Sequence, residues 1–152
     1  MLRYDFDQSL IYWTCTTAHA LERALNEELA PHGITYRQWQ VLGWLVLEGT
    51  LSQSELAERM RIDAPTLAGI LDRMERDGWL ARETCSADRR KKHLRLTEKV
   101  EPIWSRIAEA GRRVRIRAGR GFRPEQHQQL IATLAAIQEN LRGPTEQPEG
   151  SS

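Results

Sequence analysis

The chain has 152 residues, 40% of them hydrophobic and 28% charged, with a net charge of +1, which suits one domain, or one domain plus an oligomerisation extension, built on a real core. No apolar run is long enough to span a membrane, and the N-terminus MLRYDFDQ lacks the basic head and apolar centre of a signal peptide, so a cytoplasmic location is expected. Cys15 and Cys85 lie far apart and outside any metal-ligand spacing, so neither a disulfide framework nor a metal site is supported, and no cofactor is expected.

Leu10, Trp13, Thr17, Leu21, Ala24, Leu25 and Leu29 recur at helical spacing and predict a first helix that Pro31 and Gly33 stop. A second begins after Thr35, which is placed to cap it, and runs through Trp39, Leu42, Leu45 and Val46 to Gly49. Ser52 to Glu55 has capping-box spacing, in which the Ser oxygen meets one free backbone N–H while the Glu reaches back to another. The short third helix that follows carries Leu56, Ala57 and Met60, and Arg61 to Asp63 connect it to a fourth. Asp63 caps that fourth helix, Pro65 is tolerated in its first turn, and Leu67, Ile70, Leu71 and Met74 form its apolar stripe up to Asp77-Gly78. The same periodicity turns Thr66, Gly69, Asp72, Arg73 and Arg76 outward.

Residues 79–97, WLARETCSADRRKKHLRLT, predict two strands around a loop of eight residues between Thr84 and His93, longer than the usual two to five of a hairpin. Arg89, Arg90, Lys91, Lys92 and Arg95 crowd this segment, with Asp88 just before them. A cationic finger of this kind suits a polyanion such as DNA. Thr97 is placed to cap a long fifth helix through Val100, Ile103, Trp104, Ile107 and Val114, loosening near Gly119 to Gly121. Pro124 opens a sixth, whose Leu130, Leu134, Ile137 and Leu141 form a coiled-coil-like seam that needs a partner. With the broad stripe of the first helix, that seam points to a homodimer joined through both terminal regions. The tail GPTEQPEGSS is polar and rich in Pro and Gly, a composition that favours disorder.

The small net charge conceals a division along the chain. Arg82 to Lys99 holds seven Lys or Arg against three acids, and Arg112 to Arg123 holds six Arg and no acid. Positive charge gathered in two stretches is the pattern of a surface that meets phosphate. Two short helices with a tight connection, a helix to pack on, and a basic hairpin predict a mainly α (α+β) fold. Its form is a winged helix-turn-helix with N- and C-terminal dimerisation helices. The expected divisions are 1–34 for the first dimerisation helix, 35–99 for the lobe with its wing at about 80–97, 100–142 for the C-terminal helices and 143–152 for the tail.

The segments ITYRQWQVL from Ile34, LSQSELAERMRIDAPTLAGILDRMERDGWLAR and ETCSADRRKKHLRLTEKVEP resemble the MarR family of bacterial transcription regulators, and TCSADRR resembles its SlyA branch. The resemblance implies a homodimer on a palindromic, often AT-rich operator, and a cleft that accepts small aromatic carboxylates or phenols. It assigns Arg90 to the minor groove, Asp88 to orienting its neighbour and Arg89 to phosphate. The chain departs from the pattern at Gly69, where SlyA-like proteins carry an Arg on the recognition helix, and at Val100, where much of the family has Gly. The expected DNA-contacting set is Ser52, Gln53, Ala64, Pro65, Thr66, Gly69, Arg73, Asp88, Arg89, Arg90 and Lys91. The expected effector set is Trp13, His19, Tyr36 and Trp39, since flat rings stack on an aromatic ligand while a His or Arg fixes its carboxylate.

Other readings use other residues. Cys15 and His19 stand four apart on one helix face, and Cys85 lies in the wing, so a redox-responsive regulator is an alternative. The peroxide-sensing branch of the family has its reactive Cys at the place of Ile11, with Leu25 where its partner Tyr would be. A nucleoid-type protein that binds DNA without sequence preference is another alternative. Neither a GxSxG elbow, nor a phosphate-cradling Gly-rich loop, nor a paired His/Glu metal spacing is present, so no enzyme is expected.

Overall fold

The computed structural model describes residues 5–84 and 92–142. Eight main elements follow a 3-10 turn at Phe6–Gln8: α1 (Leu10–Leu29), α2 (Tyr36–Glu48), α3 (Gln53–Met60), α4 (Ala64–Arg76), β2 (Leu80–Thr84), β3 (Lys92–Leu96), α5 (Glu101–Ala118) and α6 (Pro124–Leu141). A two-residue strand, β1 (Leu51–Ser52), lies between α2 and α3 and was not expected from the sequence. The strands form one antiparallel sheet in the order β1-β3-β2, with Leu51 opposite Leu94 and Leu80 opposite Leu96. Two residues carry too little pattern to be read as a strand, and only β3 at their side reveals the pairing. No helix among the described residues is long and apolar enough to cross a membrane.

The helix starts follow local chemistry. Thr35 accepts the Gln38 amide at 3.3 Å, and the Gln38 side chain accepts the Thr35 amide at 2.9 Å, which closes a capping box on α2. Ser9 caps α1 by accepting the Tyr12 amide. The fifth helix corrects the expected cap. Thr97 does not cap it, because the Thr97 hydroxyl donates to the Gly78 carbonyl at 2.6 Å and ties the end of β3 to the turn after α4. The chain then makes a turn, Val100 accepts the Trp104 amide, and α5 starts at Glu101.

The compact unit Met1–Arg115 is built on one core. Leu67, Leu71 and Met74 of α4, Leu42 and Val41 of α2, Leu56 of α3, Leu94 of β3 and Ile107 of α5 are fully enclosed in it. Leu29 of α1 joins the same cluster, while residues 10–21 of that helix are exposed, including Leu10, Ile11 and Trp13. Trp39 of α2 lies against α5: its ring N–H donates to the Ile107 carbonyl at 3.1 Å, and its six-membered ring covers Gly111. A Cβ at Gly111 would come within 2.6 Å of Trp39 Cζ2, so the close approach of the two helices depends on the missing side chain. Arg113 of α5 also pairs with Glu28 of α1 at 2.8 Å.

The second unit, Ile116–Ser152, contains the end of α5, a turn and α6. Gly121 takes a φ of 83° in that turn, and the Gln126 side chain accepts the Arg123 amide at 3.0 Å to start α6. No residue of α6 is buried: Leu130, Leu134 and Leu141 are exposed and Ile137 half-buried.

The Trp39 contact yields a stability prediction. Gly111→Ala is expected to destabilise the protein by roughly 1–3 kcal/mol, because a methyl group forced into a packed contact displaces the ring or the helix. Urea denaturation followed by Trp emission reads this, and a variant as stable as the parent would show that the contact yields freely.

Candidate nucleic-acid interface

The helix-turn-helix is set by two side-chain caps and one left-handed residue. Ser52 accepts the Glu55 amide at 3.2 Å, while Glu55 accepts both the Ser52 amide at 2.8 Å and the Ser52 hydroxyl at 2.6 Å. These bonds with Ser52 hold the Glu55 carboxyl below its ordinary range. At the far end of α3, Arg61 takes a φ of 53°, which turns the chain towards α4. Asp63 then accepts the Thr66 amide at 2.8 Å and the Thr66 hydroxyl at 2.7 Å, and these bonds lower its pKa. Both carboxylates stand in the first turn or cap of a helix, where their charge meets unpaired backbone N–H groups.

With Leu67, Ile70, Leu71 and Met74 buried, the other side of α4 is left outward. Ala64, Pro65, Thr66 and Arg73 are exposed, and Gly69 is half-buried. The single hydroxyl proton of Thr66 is given to Asp63, so towards a base edge it offers lone pairs. At Gly69 a Cβ would meet nothing within 4 Å, so packing inside the protein does not demand the glycine. Gln53 and Ser52, both half-buried, open the helix that precedes the turn. The described residues thus bring the helix-borne part of the expected DNA-contacting set onto neighbouring elements.

The hairpin follows. Its ladder runs from Leu80 opposite Leu96 to Thr84 opposite Lys92, so Lys92 belongs to the strand and seven residues, not eight, lie between the strands. Asp88, Arg89, Arg90 and Lys91 fall in that interval, as does Cys85, and lie outside the described residues. Arg95 sits opposite Ala81 and pairs with Glu83 at 3.4 Å. His93, between Ser52 and Glu83 across the sheet, keeps its Nδ1 buried without a hydrogen-bond partner among the described residues.

Arg82 is the residue that the sequence alone did not mark. From the third position of β2 it returns to α4, where Nη2 donates to Asp72 at 2.7 Å and Nη1 to Glu75, while its backbone amide donates to Glu75 at 3.1 Å. Burial acts to lower its pKa, but the bonds from Asp72 and Glu75 carry it above the ordinary value. Asp72, expected on the outward face, is therefore already engaged, and Arg76 lies 3.5 Å from Asp77. Lys99 was also unmarked; its ammonium donates to the Asp77 carbonyl at the end of α4 and lies 4.1 Å from the centre of the Trp79 ring.

The expected effector residues are distributed differently. Tyr36 and Trp39 stack at 6.4 Å between ring centres, with the Arg37 guanidinium 5.4 Å from the Tyr36 ring. Trp13 is 54% exposed near the start of α1, with its ring N–H on the Asp7 carbonyl and Tyr12 edge-on against it. His19 borders an open groove of about 540 Å³ with Glu22, Arg23, Asn26, Glu27 and Ala30, a lining that contains none of the other three. The indole of Trp39 is spent on Ile107 and Gly111. Cys15 is exposed, and no group of three His, Cys, Asp or Glu side chains among the described residues is placed to hold a metal.

The lobe built from these elements is recognisable. Residues 32–91 match the MarR family model. This lobe has the MarR-type winged-helix fold. The transcriptional regulator PA4135 is 27% identical, with a TM-score of 0.75 over 86% of this chain and 96% of that one. A MarR variant from E. coli complexed with operator DNA is 23% identical, with a TM-score of 0.79 over 84% of this chain and 92% of its own. The transcriptional regulator SlyA is 22% identical, with a TM-score of 0.81 over 88% and 94% of the two chains. The MarR-type fold extends in these comparisons well beyond the lobe, to most of the chain.

The two lowered carboxyls give the lobe an acid response. A depressed folded-state pKa contributes stability that is fully present above the unfolded values, ordinarily 4.5 for Glu55 and 3.8 for Asp63, and lost as pH falls through the lower folded values. Thermal melts from pH 6 to pH 2 are expected to lose stability less steeply in Glu55→Gln and Asp63→Asn than in the parent. Parallel curves for parent and variants would remove these caps as the source.

Proposed function

We propose that the protein is a sequence-specific, DNA-binding transcription regulator of the cytoplasm, acting as a homodimer on a palindromic operator. The observation that carries this reading is the outward face of α4, left free by burial of its stripe and carrying exposed Arg73, beside a hairpin whose connecting loop contains Arg89, Arg90 and Lys91. A helix of this kind enters a major groove, and a basic hairpin reaches the adjacent minor groove, where a narrow width concentrates negative potential and suits guanidinium. With Gly69 in place of a long side chain, base reading falls to Thr66 and Arg73, and the wing and DNA shape carry a larger share of specificity. The structure complexed with operator DNA among the similar proteins supports the same assignment.

Dimerisation is supported by two exposed apolar surfaces. One contains Leu10, Ile11 and Trp13 on α1, and the other Leu130, Leu134 and Leu141 on α6. Each is an exposed helix face of the kind that a second copy buries. Two lobes related by a two-fold axis would then address half-sites about one helical turn apart.

Selecting bound fragments from genomic DNA tests the reading, followed by titration of the selected duplex over a range of salt. Two chains per duplex are expected. Arg90→Ala is expected to weaken binding and to lower the slope of log K against log salt by about 0.9, one phosphate contact. Arg73→Ala is expected to cost about 1–3 kcal/mol on the selected site and less on bulk DNA, as a lost base contact does. Binding of equal strength to selected and bulk DNA would favour the nucleoid-type alternative, and no binding in dilute buffer would end the proposal.

Regulation by a small aromatic carboxylate or phenol belongs to the same reading. Tyr36, Trp39, Trp13 and His19 are its proposed contacts, and a ligand that moves the Trp39 ring would act on the α2–α5 contact directly. Salicylate titration is expected to change Trp emission and to weaken the DNA complex together. A panel of aromatic acids that leaves both unchanged would remove this part.

A further inference from the structure

Resting on the DNA-binding reading above, the geometry points to Arg82 as a positioning residue that masks two carboxylates of the recognition helix and fastens the hairpin to it without itself touching DNA. Within Ala64–Arg76 the charged residues are Asp72, Arg73, Glu75 and Arg76, so α4 by itself is neutral. A neutral helix whose carboxylates stand near its exposed side gains nothing from a phosphate backbone, and like charges brought together oppose docking. Arg82 alters this from outside the helix, through bonds to Asp72 and Glu75 across ten and seven residues. Its own side chain is only 15% exposed, while that of Asp72 is 68% exposed. The guanidinium therefore sits beneath the carboxylates it neutralises, as a mask and not as a contact.

The same residue serves the hairpin. In the sheet order β1-β3-β2, strand β2 is an edge, and an edge strand leaves backbone donors without partners. Glu75 accepts one of them, the Arg82 amide, at 3.1 Å, so the helix covers the strand edge while the strand neutralises the helix. The clasp works in both directions: the guanidinium fork offers two parallel donors to two carboxylates, and Glu75 divides its oxygens between the side chain and the backbone of the same residue. The base of the wing thereby takes its position from α4, two residues before the end of the described part of β2.

The test uses the full chain as Arg82→Ala, Arg82→Lys, and Arg82→Ala combined with Asp72→Asn and Glu75→Gln, with two independent readouts. In the free protein, amide exchange across Leu80–Thr84 is expected to be about tenfold faster in Arg82→Ala than in the parent, because the edge loses its attachment. On the selected duplex, Arg82→Ala is expected to bind about tenfold more weakly, and the triple variant to recover most of that loss, since it removes the charges needing the mask. Arg82→Lys, which keeps the charge and loses the fork, is expected to fall between. A triple variant that binds no better than Arg82→Ala overturns the masking. A salt slope reduced by about 0.9 in Arg82→Ala overturns it too, because Arg82 would then be a phosphate contact. Unchanged exchange in Arg82→Ala overturns the clasp, and this holds even if the parent binds no duplex at all, the outcome that would sink the functional reading separately.

Discussion

Burial of Leu67, Ile70, Leu71 and Met74 is the constraint from which the rest of the lobe follows. These four side chains of α4 meet α2, α3 and the sheet in a single core, and once they are enclosed the helix has one remaining side to offer. The polar groups at its two ends then serve orientation. Asp63 sets where the helix begins, Arg61 turns the chain between α3 and it, and Lys99 bonds the Asp77 carbonyl at its C-cap. A helix held at both ends and along one face has little freedom to present anything but its outer residues, which is the rigidity that a groove-reading element requires.

Charge is arranged in a second layer over this packing. The caps place Glu55 and Asp63 at helix N-termini, where negative charge is favoured, and the Arg82 fork answers the two carboxylates that remain on α4. Beside them α4 leaves Arg73 and Arg76 exposed, and the hairpin sequence adds the run Arg89, Arg90 and Lys91. In the proposed function, then, the helix supplies shape and a small number of base contacts while the wing supplies most of the attraction to phosphate. The open position at Gly69 fits this division, since nothing inside the protein forbids a longer side chain there.

The lobe and the long helix are joined by a contact of another kind. Trp39 packs its six-membered ring on Gly111 and donates its N–H to Ile107, so the indole that looks from the sequence like a ligand platform is a spacer between α2 and α5. Tyr36 stacks on Trp39, and Asn26 of α1 accepts the Tyr36 amide at 2.8 Å. Three helices therefore converge on two neighbouring aromatic residues.

The sequence by itself determined the helices, the starts of α2, α3 and α4 and the buried stripe of α4, because each rests on bonds or periodicities within four residues: Thr35 with Gln38, Ser52 with Glu55, Asp63 with Thr66, and the apolar spacing of α4. Only the tertiary structure decided what depends on distant partners. Strand β1 exists because β3 lies beside it, and Lys92 joins the ladder because Thr84 stands opposite. Thr97 abandons an expected helix cap for Gly78, nineteen residues away, and Trp39 bonds Ile107 across sixty-eight. Arg82 looked like one more charge in a basic segment until the return of the chain set it against Asp72 and Glu75. A hydrogen bond between neighbours in sequence is fixed by backbone geometry alone, whereas one between distant residues exists only after the core has brought them together.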